Sequence, residues 1–145
     1  MKRPQRGVAI VEFALILPML LILTFITTEF GRALYQYNTL AKSVRDGARY
    51  LSFYSPGSAQ RIEEARNLII YGTITTGSEP LTPGLRAEHV PDPTWQPTGT
   101  NPVVNVVTVR VVNYSFQSMF PTTAFGQPFG PITFPAITAS MRTPP

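Results

Sequence analysis

The stretch RGVAIVEFALILPMLLILTFITTEFGR, Arg6–Arg32, decides how the rest of the chain is read. From Val8 to Ile26 every residue is apolar except Glu12, Pro18 and Thr24. That length is close to the ~20 residues a helix needs to cross a hydrocarbon core about 30 Å thick. Lys2, Arg3 and Arg6 precede the run, whereas beyond it Glu29 and Asp46 offset part of the charge of Arg32, Lys42, Arg45 and Arg49. The excess of basic residues on the N-terminal flank predicts a cytoplasmic N-terminus and an exported remainder. A cleavable secretory signal shares this order of charge and hydropathy, but its apolar core is about 7 to 15 residues long and ends in a small-x-small site. Here the run is longer, and Ile26 stands where a small residue is wanted. Glu12 is the anomaly, since a carboxylate within the hydrocarbon costs roughly 2.5 to 3.5 kcal/mol.

The helical pattern continues past the span. Phe30, Leu34, Tyr37, Ala41, Val44, Ala48 and Leu51 recur in alternating steps of four and three, with charged residues between them. This spacing predicts an amphipathic extension whose narrow apolar face packs on its own domain or in a coiled coil. Pro56 disfavours helix at Ser55 and Gly57 permits a turn, so the helix is expected to end near Tyr54. At 1.5 Å per residue, Val8 to Tyr54 makes a rod of roughly 70 Å. Pro18 deprives the Ala14 carbonyl of its helical donor and is expected to kink the span.

Downstream, SAQRIEEARNLIIYG (Ser58–Gly72) predicts a short second helix, capped by Ser58 and stopped by Gly72. Thr73–Pro102 carries six of the fifteen prolines, which predicts mostly irregular loop with short strands at Gly72–Thr76 and Leu85–Val90. The clearest strand is Val103–Phe116, with Val107, Val109 and Val111 on one face and Thr108 and Arg110 on the other. A further strand is expected over Ile132–Met141, at an edge or bulged because of Pro135. Between these strands, Phe116, Phe120, Phe125 and Phe129 either cover the sheet or form an apolar patch, covering being the expectation. The predicted fold class is α+β: a long N-terminal helix, membrane-spanning then amphipathic, a short second helix, and a small antiparallel β-sheet packed on the helix. The predicted boundaries are a leader at 1–7, a transmembrane helix at 8–28, the helix extension at 29–54 and an exported α+β domain at 55–145 containing a Pro-rich loop at 77–102.

Composition narrows the function. The 145 residues include no cysteine and one histidine, His89, which removes thiol chemistry and leaves histidine catalysis a single candidate. His89 reads as a surface or half-buried residue. The formal charge of +4 owes three units to the N-terminal tail; without it nine basic residues face eight acidic ones, too weak a field for nucleic acid. No glycine-rich phosphate loop, metal-ligand spacing or internal repeat is present, so no catalytic residue, metal or cofactor is expected.

A basic tail, then Gly7, then Val8-Ala9-Ile10-Val11-Glu12-Phe13 and an apolar run is the pattern of a type IV prepilin cleavage region. More closely, the chain resembles the TadE-like pseudopilins of the tight adherence (Tad/Flp) pilus system. The blocks that carry this are RGVAIVEFALILPMLL, EFGRALYQYNTL (Glu29–Leu40), SVRDGARYLS (Ser43–Ser52) and GPITFPAITASMR near the C-terminus. The resemblance implies a pilin-like fold and cleavage between Gly7 and Val8 by a prepilin peptidase, with Glu12 and Phe13 serving assembly. Glu12 would then lie four residues from a new α-ammonium, on the same helix face and about 6 Å along the axis. The alternative is a glutamate that snorkels to the interface from an uncleaved anchor. The implied protein is a non-enzymatic minor pilin-like subunit of the bacterial inner membrane, with its C-terminal domain in the periplasm or outside and with incorporation into the pilus as a further expectation. The implied partners are the prepilin peptidase, other pseudopilins, the major Flp pilin, the inner-membrane assembly platform and membrane lipid. The competing reading is an uncleaved single-span protein whose exported domain binds a partner.

Overall fold

The computed structural model describes residues 6–100, 103–119 and 131–143. They form an α+β fold with a long helix α1 (Arg6–Ser52), a shorter helix α2 (Ala59–Tyr71) and five strands. The strands are β1 (Thr94–Thr98), β2 (Val104–Val111), β3 (Ser115–Phe116), β4 (Ile132–Thr133) and β5 (Ile137–Arg142). Two units are distinguishable: residues 6–34 with 118–119 belong to one, and the other described residues belong to the second. α1 contributes to both and continues through Pro18.

The second unit holds the core. β1, β2 and β5 form an antiparallel sheet in the order β1-β2-β5, with Val109 opposite Ala139 and Val111 opposite Ile137. Val107, Val109 and Val111 are buried, as their alternation predicts, while Arg110 is exposed. They pack with Leu40, Val44, Ala48 and Leu51 of α1, and with Ala65, Ile69 and Ile70 of α2, in one cluster. Each fully buried valine or leucine contributes about 1.5 to 3 kcal/mol relative to exposure. On the outward face the sheet is polar, and Thr108 and Ser140, paired across strands, share a hydrogen bond of 2.8 Å.

Several expectations require correction. The run Val103–Phe116 is two strands in different sheets: Asn113 adopts φ 55°, which turns the chain so that β3 pairs with β4. Asparagine tolerates that left-handed conformation better than most residues. Ile132–Met141 is likewise broken around Pro135, leaving β5 as an edge strand. Gly72–Thr76 forms no strand, because Gly72 ends α2 with φ 76° and donates to the Leu68 carbonyl. Leu85–Val90 contains a 3-10 turn, Ala87–His89, in which His89 Nδ1 accepts the Arg86 N–H at 3.0 Å. The strand missed by sequence reasoning is β1, which accommodates Pro97 because it lies at the sheet edge. α1 ends at Ser52 rather than Tyr54, with Phe53 and Tyr54 donating three residues back in a tightened turn. Ser58 occupies the N-cap of α2, but its side chain makes no capping bond. Phe120, Phe125 and Phe129 lie outside the described residues; Phe116 is buried.

The inward face of α1 also differs from the expected one. Leu40, Val44, Ala48 and Leu51 are buried, but Phe30, Leu34 and Tyr37 are exposed, and the buried positions earlier in the helix are Glu29, Ala33 and Gln36. Polar side chains turn inward because each finds a partner. In the second unit the buried Tyr114 hydroxyl lies 2.8 Å from Gln36 Oε1 and 2.9 Å from the Pro83 carbonyl oxygen, a donor shared between two acceptors. Burial pushes the Tyr114 hydroxyl above its ordinary value, opposed by Thr82 beside it. His89 and Phe134 pack against the Tyr114 ring, and Tyr37 meets Phe134 edge-on.

Two features bind α1 to α2. The first is close approach at Gly47, where an added Cβ would lie 2.7 Å from both Cδ1 and Cγ1 of the buried Ile69. Gly47→Ala is therefore expected to destabilise the second unit by about 1 to 3 kcal/mol through overpacking. Gly31→Ala, with nothing within 4 Å of the added methyl, leaves stability unchanged or raises it. Thermal unfolding of the two variants in detergent, followed by circular dichroism, checks the contrast.

The second feature is a polar clasp. The Tyr50 hydroxyl donates to Glu64 Oε2, which also accepts from Arg61 Nη1 at 2.7 Å, and Gln60 Nε2 donates to Glu64 Oε1 at 3.0 Å. The Arg61 guanidinium lies 4.3 Å from the Tyr54 ring centroid. Burial, then the bond to Glu64, pushes Tyr50 up to about 12 from 10.0, while the bonds from Tyr50 and Arg61 lower Glu64 below its ordinary 4.5. A raised tyrosine stabilises the fold fully below pH 10.0, and that contribution is lost as pH rises toward about 12. A lowered carboxyl stabilises it above 4.5, and that contribution is lost as pH falls through its folded value. Melting temperatures measured across pH should thus fall at both ends. Tyr50→Phe should flatten the alkaline limb and Glu64→Gln the acid limb.

Candidate functional site

The residues singled out for processing and assembly all lie in the first turns of α1. Gly7 and Val8 fall within the helix, whose first residue is Arg6. Glu12 and Phe13 follow one and a half turns later, and both are exposed. Among the described residues Glu12 makes no hydrogen bond or ion pair. The helical spacing places residues 8 and 12 on one face, which is what an ammonium and a carboxylate need in order to meet.

The surface around them is apolar. Every residue from Ala9 to Thr28 is exposed except Ile22, which is half-buried. α1 contains a window of mean hydropathy 2.6 and is long and apolar enough to cross a membrane. Its later polar residues are satisfied within the helix. The hydroxyls of Thr24, Thr27 and Thr28 donate to the carbonyls of Leu20, Leu23 and Thr24 at 2.8 to 2.9 Å. Such back-bonding leaves no hydroxyl proton unpartnered in a medium without water.

The apolar length ends at a residue whose role sequence reasoning missed. Glu29 is only 6% exposed, accepts a hydrogen bond from the Arg32 guanidinium, and receives the Met119 backbone N–H at 3.3 Å. Burial would raise its pKa, but the bonds from Ser118, Arg32 and Met119 outweigh that and hold the carboxyl below its ordinary value. The carboxylate therefore stays ionised where a lone glutamate would be driven neutral. Its spacing from Arg32, i to i+3, was a legible signal for half of this arrangement. The contact with Met119, ninety residues away, left no trace in the local pattern.

His89 is occupied structurally, accepting through Nδ1 and packing on Tyr114. Among the described residues no three of His, Cys, Asp and Glu are grouped where they could hold a metal ion. A shallow groove of about 500 Å³, lined by Tyr35, Thr39, Lys42, Asp46, Leu68 and Leu81 among others, runs beside α1 and α2 without a convergent polar constellation.

The sequence model of the TadE-like protein family matches residues 7–49, from Gly7 to the basic residue in the last turn of α1. The match takes in Gly7, Val8, Glu12, Phe13, Glu29 and Arg32, and it agrees with three of the four blocks that carried the resemblance in sequence. TadE-like proteins are structural and associated with the Tad pilus, with no enzymatic activity known for the family. Among curated proteins and among solved structures, none matches the chain.

Proposed function

We propose that this chain is a minor, pilin-like subunit that takes part in assembling or priming a tight adherence pilus. In this reading a prepilin peptidase cleaves between Gly7 and Val8, and α1 anchors the product in the bacterial inner membrane with its N-terminus cytoplasmic. The α+β domain is exported, and the anchored helix associates with other pseudopilins, the major Flp pilin and the assembly platform. The observation that carries the reading is the composition of the first turns of α1 within the TadE-like match. A glycine at the proposed scissile bond, a helix-borne glutamate five residues on and a solvent-exposed apolar helix surface stand in that order. Glu12 is the informative residue. It is exposed on a helix otherwise suited to lipid, so a charge partner from the new N-terminus, within or between subunits, would remove its cost.

Mass spectrometry of the membrane fraction tests processing. A mature chain beginning at Val8 is expected in cells with the peptidase, and Gly7→Leu should abolish it, because a bulky side chain at the scissile position hinders access. A chain that retains residues upstream of Val8 in peptidase-competent cells would favour the uncleaved single-span protein instead.

Glu12→Gln separates assembly from insertion. The variant should be made, inserted and cleaved as the wild type, since an amide costs less than a carboxylate in lipid. Assembly should fail, because removing one member of a buried pair costs about 3 to 5 kcal/mol, more than a hundredfold in a docking equilibrium. Surface pili and co-purification with other pseudopilins, compared at equal levels of cleaved protein, provide the readout. Wild-type values in both would make Glu12 a snorkelling anchor.

A further inference from the structure

We propose that the chain has a second contact with the bilayer: Met119, pinned by Glu29 at the C-terminal end of the span, lies with Phe30 in the lipid headgroup interface. The proposal rests on the reading of residues 8–28 as membrane-spanning.

Three observations converge on lipid as the occupant. The first is depth. Glu29, Phe30 and Arg32 follow Thr28 within four residues, about 6 Å of helix rise, and the interfacial layer on each side of the hydrocarbon is itself about 5 to 7 Å thick. The second is the pinning geometry. The Met119 N–H donates to Glu29 Oε2 at 3.3 Å, so the main chain at 119 is fixed beside the first turn beyond the span. Yet the Met119 side chain is 69% exposed and Phe30 is 62% exposed. Two large apolar side chains stand exposed at the level where aromatic and long apolar residues partition into the interface. The third is charge. From Val111 to Met141 the sequence contains no Asp, Glu, Lys, Arg or His, so the stretch that carries Met119 brings no ionisable side chain that the interface would have to solvate. The carboxylate that does the pinning is neutralised by Arg32, whose guanidinium suits the phosphate layer.

Because the chain has no cysteine, single-site labelling is clean. The full chain carrying Leu17→Cys, Phe30→Cys or Met119→Cys is labelled with an environment-sensitive fluorophore and reconstituted into phosphatidylcholine vesicles. The vesicles contain nitroxide lipids, with the quencher either at the headgroup or deep in the acyl chain. The probe at 17 should be quenched by the deep nitroxide, and the probes at 30 and 119 by the headgroup nitroxide. Adding Glu29→Ala should reduce quenching at 119 by at least twofold while leaving 30 unchanged. An aqueous, unquenched probe at 119 beside a quenched one at 17 overturns the proposal and leaves the span intact. A blue-shifted probe at 119 that neither nitroxide quenches means that protein covers it, and overturns lipid as the occupant. Quenching at 119 that survives Glu29→Ala overturns the pinning by Glu29. Failure of the deep nitroxide at 17 overturns the span and the proposal with it.

Discussion

One buried hydroxyl constrains how the second unit is put together. Tyr114 stands where the chain leaves the main sheet, and its oxygen meets the Gln36 amide of α1 and the Pro83 carbonyl of the loop after α2. Three segments distant in sequence are tied at one point inside the protein. The tie is strict because a buried amide or carbonyl without a partner costs about 1 to 3 kcal/mol, whereas the net gain of a made bond is about 1 kcal/mol. Penalty for misplacement, more than attraction, fixes the orientation of α1 against the sheet. The apolar contacts of Leu40, Val44 and Ala48 supply stability on the same face.

This explains how much could be read from the sequence. The valine alternation in β2 announced both strand and face, and the Gly72 stop and the α2 pattern were legible because they depend on neighbours in the chain. The inward face of α1 was not legible in its first half. A search for apolar residues at steps of three and four selects Phe30, Leu34 and Tyr37, while the helix buries Glu29, Ala33 and Gln36. Their partners make those polar residues tolerable inside, and apart from Arg32 the ones named, Met119 for Glu29 and Tyr114 for Gln36, lie more than seventy residues away. β1 was hidden for a related reason: prolines that signal loop are permitted at a sheet edge, and edge status is settled by topology rather than by local sequence. In the candidate site, Glu12 was conspicuous because it offends the local pattern, and Glu29 was overlooked because it ends the run and so looked ordinary.

Along α1 the polar side chains in and next to the apolar length follow a common rule. The threonines near its end bond to their own helix, and Glu29 draws on Arg32 and on the chain at Met119. Glu12 departs from it: among the described residues it makes no hydrogen bond or ion pair. A helix so consistent about satisfying polar groups makes the exception informative, and the proposed pairing of Glu12 with a new N-terminus would bring it under the same rule.

The placement of Gln36 on the inward face has a consequence for the order of events during synthesis. α1 is made before any strand exists, and the residues it packs against in β2 and β5 follow some sixty to a hundred positions later. Until they emerge, the inner face of the helix must wait without its cover, at the stage when nascent chains are most prone to stick to one another. The Gln36 amide interrupts that apolar face during the wait. Once the sheet arrives, the Gln36 amide oxygen accepts from the Tyr114 hydroxyl, so the polar group that interrupts the waiting face is partnered in the finished fold.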